Sequence, residues 1–94
     1  MAFQRMTARV VGRVQGVGFR WWVRSRGREL GLSGWVANEP DERSVALLVE
    51  GDATRLDELE RLLWQGPPGA WVEAVEVSRE PASGTFQGIE IVRR

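Results

Sequence analysis

A small α+β sandwich, with two helices on one face of a mainly antiparallel sheet, is predicted by three features of the 94-residue chain. Apolar residues alternate with polar ones over 6–14, the pattern switches to helical spacing after a glycine-bearing loop, and strand, turn and helix signals then repeat in the order strand, strand, helix, strand. A length of 94 residues and 43% hydrophobic content fit one domain with one core, leaving little room for a separate substrate or regulatory domain. The expected unit is a single domain over residues 1–94.

Met6, Ala8, Val10, Gly12 and Val14 share one face of the first strand, and Thr7, Arg9, Val11 and Arg13 share the other. Gln15 to Gly18 breaks this pattern. From Phe19 the apolar residues Phe19, Trp22, Val23 and Leu30 recur at helical spacing, Arg20, Arg24 and Arg28 take the polar face, and Gly31 stands where a helix ends. Gly34 to Asn38 reads as a short strand, Glu39 to Arg43 as a polar turn, and Ser44 to Glu50 as the antiparallel return strand. Asp52 is placed to cap a second helix, whose Leu56, Leu59, Leu62 and Leu63 form an apolar stripe until Gly66, Pro67 and Pro68 stop it. Val72, Val75 and Val77 mark a fourth strand, and Thr85 to Val92 offers a short edge strand. The order βαββαβ, with four to five strands, gives a ferredoxin-like α/β sandwich. Pro81 to Gly84 is expected to be its most mobile segment.

Composition excludes several chemistries. With no cysteine and no histidine, disulfides, thiol nucleophiles, zinc-finger spacings and His-containing triads are absent. No N-terminal apolar stretch resembles a signal peptide and no run approaches the roughly 18 residues needed to span a bilayer, so a cytoplasmic protein without membrane association is expected. The net charge is zero, yet residues 1–30 hold seven arginines against the single acid Glu29. Such a local excess favours a small anionic ligand over nucleic acid, which usually meets a basic domain as a whole. All thirteen cations are arginine, a usage that reads as codon bias.

The run Gly12 to Arg20, GRVQGVGFR, joins a strand to a helix N-terminus, where backbone N–H groups lack partners and the helix dipole favours anions. Gly16 and Gly18 can take positive φ and let consecutive N–H groups converge as a nest, and Arg20 adds a guanidinium in the first turn. A Walker loop would need a lysine, and a dinucleotide fingerprint a small residue where Trp21 stands. On the residues alone, a tight turn followed by a solvated arginine is an equal alternative, and Asn38 reads first as a turn residue.

The loop GRVQGVGFR, the segment GLSGWVAN at 31–38 and GPPGAWVEAV at 66–75 resemble, in order and over nearly the whole chain, successive motifs of the acylphosphatase family. The resemblance implies hydrolysis of acyl phosphates without a metal or other cofactor. It matches Arg20 to the family's phosphate-binding arginine and Asn38 to the asparagine that positions the attacking water. It also matches Gln15, Gly16, Val17, Gly18 and Phe19 to the loop whose N–H groups hold the phosphate. The implied partner is a small acyl phosphate, and a monomer is expected at this size. Three departures stand out: Ala37 where a basic residue is frequent, a PDER turn without the usual glycine, and Gly27 within the first helix.

Two other functions fit the same element order. An RNA-recognition domain would stack bases on aromatics of its central strands, but 6–14 and 44–50 contain none. A non-catalytic phosphate-binding or regulatory domain would keep Arg20 without needing Asn38. The carboxylates Glu39, Asp41 and Glu42 read as a solvated turn with no metal-loop spacing. Trp21, Trp22, Trp35, Trp64 and Trp71 are expected to pack in or at the edge of the core.

Overall fold

A computed structural model describes residues 2–93. Its elements in chain order are β1 (Phe3–Arg13), α1 (Phe19–Glu29), β2 (Ser33–Asn38), β3 (Ser44–Asp52), α2 (Ala53–Leu63), β4 (Trp71–Pro81) and β5 (Ile89–Ile91). The sheet order is β4-β1-β3-β2-β5. Each paired neighbour among the first four strands is antiparallel and β5 runs parallel to β2, so the sheet is mixed. The expected ferredoxin-like sandwich is the architecture found.

Register explains the core. Met6, Ala8 and Val10 stand opposite Val49, Leu47 and Val45, and these six side chains face one way from the sheet because alternate residues share a face. Phe19 and Val23 of α1 and Leu56, Leu59 and Leu63 of α2 close over them in a single buried cluster. The α2 start is capped as its sequence predicts: the Asp52 carboxylate accepts from the Thr54 N–H at 3.0 Å. At the end of α1, Gly31 takes φ 70° and the Leu32 N–H donates to Gly27 O at 2.8 Å, a closure that satisfies an orphan helix carbonyl. Gly27 itself is buried against β5; a Cβ there would come within 2.0 Å of Ile89 Cδ1, so the missing side chain sets how closely helix and sheet approach.

Three expectations need correction. β1 begins at Phe3 and so contains an aromatic, although Phe3 is 66% exposed and lies at the far end from the loop. Polar Gln4 and Arg5 hide this extension from a hydrophobic pattern, while the ladder to β3 carries it. The tryptophans do not all pack: Trp21, Trp64 and Trp71 are exposed and only Trp22 and Trp35 are half-buried. The interior is filled by smaller aliphatics, Phe19 and Met6, and Trp21 lies beside Arg24, whose guanidinium is 5.4 Å from its ring. Finally, Pro81 belongs to β4, and Ser83 and Gly84 are tied down, both donating backbone N–H bonds of 2.9 Å to Glu50.

Candidate active site

One end of the sheet gathers the loop after β1, the end of β2, the β2–β3 hairpin and the chain that leaves β5. The loop is built rigidly from inside. Val14 is buried before it and Phe19 is buried after it, with its ring edge-on to Trp22 at 5.4 Å. Between these anchors Gly16 has φ 77° and Gly18 φ 76°, left-handed conformations that glycine adopts without a Cβ penalty. No atom lies within 4 Å of where either Cβ would be. Backbone shape is therefore what these positions demand.

Gly18 is the N-cap of α1 and offers no side chain to its first turn. Trp22 is the residue whose N–H first finds an intrahelical acceptor, Gly18 O at 3.0 Å. The N–H groups of Phe19, Arg20 and Trp21 thus lie before the helical ladder, at the positive end of the dipole. The side chain of Gln15 is committed elsewhere: its amide donates to Glu39 O at 2.8 Å and to Ser44 O at 2.9 Å. The Gln15 amide thus clamps the loop to the hairpin.

That hairpin follows directly from Asn38. The Asp41 carboxylate closes it, accepting from Arg43 N at 2.9 Å, Ser44 N at 3.0 Å and Ser44 Oγ at 2.9 Å, and from Arg9 at 2.7 Å. The Arg43 N–H first, then the Ser44 hydroxyl and the Arg9 guanidinium, hold this carboxyl below its ordinary pKa against a smaller opposing effect of burial. Asp41 thus folds the turn. Among the described residues no group of three or more acidic side chains is arranged to hold a metal ion.

Arg20, in the first turn of α1, and Asn38, the last residue of β2, line one cleft of about 260 Å³ together with Val92 and Arg93. The two residues are 18 positions apart in sequence and belong to different elements. Val17 turns inward, packing against the core and lying 3.7 Å from where a Cβ on Gly69 would be. Val92 and Arg93 were not expected at the site. Their position follows from β5 pairing in parallel with β2, extended one residue by the bond from Val92 N to Val36 O at 2.9 Å. Sequence periodicity identifies an edge strand without saying which edge receives it.

Chemically, such a cleft offers a guanidinium and an uncharged amide able to orient water, while Gln15, Gly16, Val17, Gly18 and Phe19 are not among its lining residues. The chain matches the Acylphosphatase family over residues 6–91. An acylphosphatase of Rubrobacter xylanophilus is 52% identical over 88 residues, covering 94% of this chain and 79% of that one. One from Frankia alni is 52% identical over 80 residues, covering 85% and 84% of the two chains. The crystal structure of the acylphosphatase from Bacillus subtilis matches with a TM-score of 0.90 at 31% identity, over 95% of this chain and 98% of that one. Family match, relatives and fold agree: the chain belongs to the acylphosphatase family.

Proposed function

We propose that this chain hydrolyses acyl phosphates to a carboxylate and inorganic phosphate by in-line attack of a water oriented by Asn38. The phosphoryl group rests on the N–H groups of Gln15 to Phe19 and on Arg20. The observation that carries this reading is the single cleft shared by Asn38 and by Arg20, two residues after Gly18. The water oxygen forms a bond to phosphorus while the bond from phosphorus to the acyl oxygen breaks, and its electron pair leaves with the carboxylate. A carboxylate is a good leaving group that needs no general acid. An asparagine amide is no base near neutral pH, so the water's proton passes to a phosphoryl oxygen of the substrate. What the protein supplies is placement and electrostatics, donors fixed before the reaction where charge redistributes.

The reading requires no metal and no cofactor. All the groups it uses come from one chain, which fits a monomer and a single acylphosphatase-like domain. No helix among the described residues is long and apolar enough to cross a membrane. The same proposal takes a small acyl phosphate as the partner, in place of membrane or nucleic acid, and a cytoplasmic location.

The test is phosphate release from benzoyl phosphate in excess chelator by wild type, Arg20→Ala and Asn38→Ala, each checked for folding by circular dichroism. Activity in wild type that collapses in both variants is the expected result. A folded wild type no faster than spontaneous hydrolysis would reduce the loop to an anion-binding site, as in a regulatory domain. Activity that disappears with chelator would overturn the metal-free assignment.

A further inference from the structure

The cleft that holds Arg20 and Asn38 has a second cation in its wall, Arg93. Its placement is fixed by pairing. Gly34, Trp35 and Val36 of β2 align with Ile89, Glu90 and Ile91 of β5, and the Val92 N–H continues the ladder to Val36 O. Arg93 therefore emerges beside the end of β2, one strand spacing of about 4.8 Å from the line that carries Asn38. Among the described residues no acidic residue lines the cleft, and neither Arg20 nor Arg93 makes a salt bridge. Two guanidiniums facing one small cleft repel each other, and an anion between them converts that repulsion into attraction.

We propose that Arg93 is a second cationic contact of the phosphoryl group and makes the site selective for a phosphoryl group bearing two negative charges. This rests on the function proposed above and extends it. A phosphate monoester group carries about −1.5 to −2 charges near neutral pH, and an acyl phosphate presents a comparable dianion. The N-terminus of α1 supplies roughly half a positive charge and Arg20 one more, which leaves the dianion incompletely matched. Arg93 completes the balance.

Direction decides between the phosphoryl group and the acyl group as the partner of Arg93. In an in-line displacement the leaving group departs opposite the attacking water. The water is held by Asn38, and Arg93 lies on the Asn38 side, just past the end of the strand next to β2 and away from β3. The acyl group is therefore carried away from Arg93, and the phosphoryl oxygens are what this guanidinium reaches.

The experiment compares Arg93→Gln and Arg93→Lys with wild type and Arg20→Ala, measuring KM and kcat for benzoyl phosphate and competitive inhibition by inorganic phosphate. Because Arg93 is exposed, its loss leaves the fold in place, which a thermal melt verifies. One exposed charge-assisted contact predicts a rise of about tenfold in both KM and the phosphate inhibition constant for Arg93→Gln. A smaller change in kcat, a shallower fall of kcat/KM with salt and partial recovery in Arg93→Lys should accompany it. Unchanged phosphate inhibition in Arg93→Gln overturns the proposal, whether KM stays constant or rises for substrates whose acyl group carries a further charge. Such a failure would leave the loss in Arg20→Ala intact. Failure of the underlying site would appear instead as Arg20→Ala retaining wild-type activity and inhibition.

Discussion

The two ends of β3 both gather charge and treat it in opposite ways. At the far end Glu50 is only 4% exposed, and four donors saturate it: Arg5 Nε, Ser83 N, Ser83 Oγ and Gly84 N, at 2.9, 2.9, 3.0 and 2.9 Å. Burial pushes its carboxyl upward, but the Ser83 and Gly84 N–H groups and Arg5 outweigh it and bring the pKa to about 2. At the near end Arg20 faces a cleft that, among the described residues, has no acidic residue in its lining. Buried polar groups in folded proteins are as a rule satisfied. A satisfied charge holds the fold, whereas under the function proposed above Arg20 serves a ligand.

The largest effect tests the near end. Arg20→Ala and Asn38→Ala should each lower kcat/KM by about 10²–10³, the loss typical of one preorganised electrostatic contact. Their melting temperatures should stay close to wild type, since both side chains are partly exposed at the cleft. Parallel steady-state kinetics and thermal melts measure the split. A large fall in stability with little kinetic loss would place these residues with Glu50, as parts of the scaffold.

Glu50→Gln is the opposite experiment. An amide nitrogen would face donors, so the variant loses charge-assisted bonds and gains a donor conflict, for a cost of about 2–3 kcal/mol. For a domain of this size that lowers the melting temperature by on the order of 10 °C, with activity at room temperature within about twofold of wild type. The acid dependence carries the same signature. Glu50 is depressed from its ordinary 4.5 to about 2, so its stabilisation is complete above pH 4.5 and is lost as pH falls toward 2. Urea titrations at stepped pH should show the gap between wild type and Glu50→Gln closing across that window. A constant gap would mean that shape, and not charge, is what Glu50 contributes.

A third test separates backbone shape from space. Gly18→Ala places a Cβ where nothing lies within 4 Å, so its cost is the left-handed φ alone, about 1–2 kcal/mol. Strain relieved by rotating the peptide would turn the nest donors away, and kcat/KM should drop by about tenfold, one lost or weakened hydrogen bond. Gly18→Asn should recover much of both losses because asparagine tolerates this region. Wild-type kinetics in Gly18→Ala would show that the loop N–H groups are not used.

How much of this was legible in the sequence follows from whether a signal is local. The period of Met6, Ala8 and Val10, the helical spacing from Phe19 and the Asp52 cap depend on near neighbours, and each predicts the element found. The family motifs carry Arg20 and Asn38, whose common cleft requires the folded β1–α1 and β2 arrangement. Glu50 and Ser83 are 33 residues apart, and nothing near either one signals the other. Arg93 reaches the cleft only because β5 chooses β2 as its parallel partner, a decision of tertiary packing. The exposed tryptophans mislead for a related reason: hydrophobicity marks a residue as able to be buried, while position in the register decides whether it is.

Asp41 sharpens the comparison, because it lies at the near end and is still saturated, by donors from Arg43, Ser44 and Arg9. Saturation, more than location, marks the structural carboxylates. The turn that Asp41 closes contains Glu42 at φ 63°, in the PDER segment that lacks its customary glycine. A side chain there costs about 1–2 kcal/mol relative to a residue free to adopt that region. Glycine also adds freedom to the unfolded chain, returning roughly 0.4–1 kcal/mol of the gain. Glu42→Gly should therefore raise stability by about 0.5 kcal/mol. Glu42→Asn should do at least as well, because it tolerates the conformation with less added freedom. Urea midpoints at unchanged slope resolve a difference of this size, with kcat/KM expected within about twofold of wild type. If both variants are destabilised, the exposed Glu42 side chain supports the turn by more than its backbone strain costs, and the hairpin that presents Asn38 is tuned by that side chain as well as by Asp41.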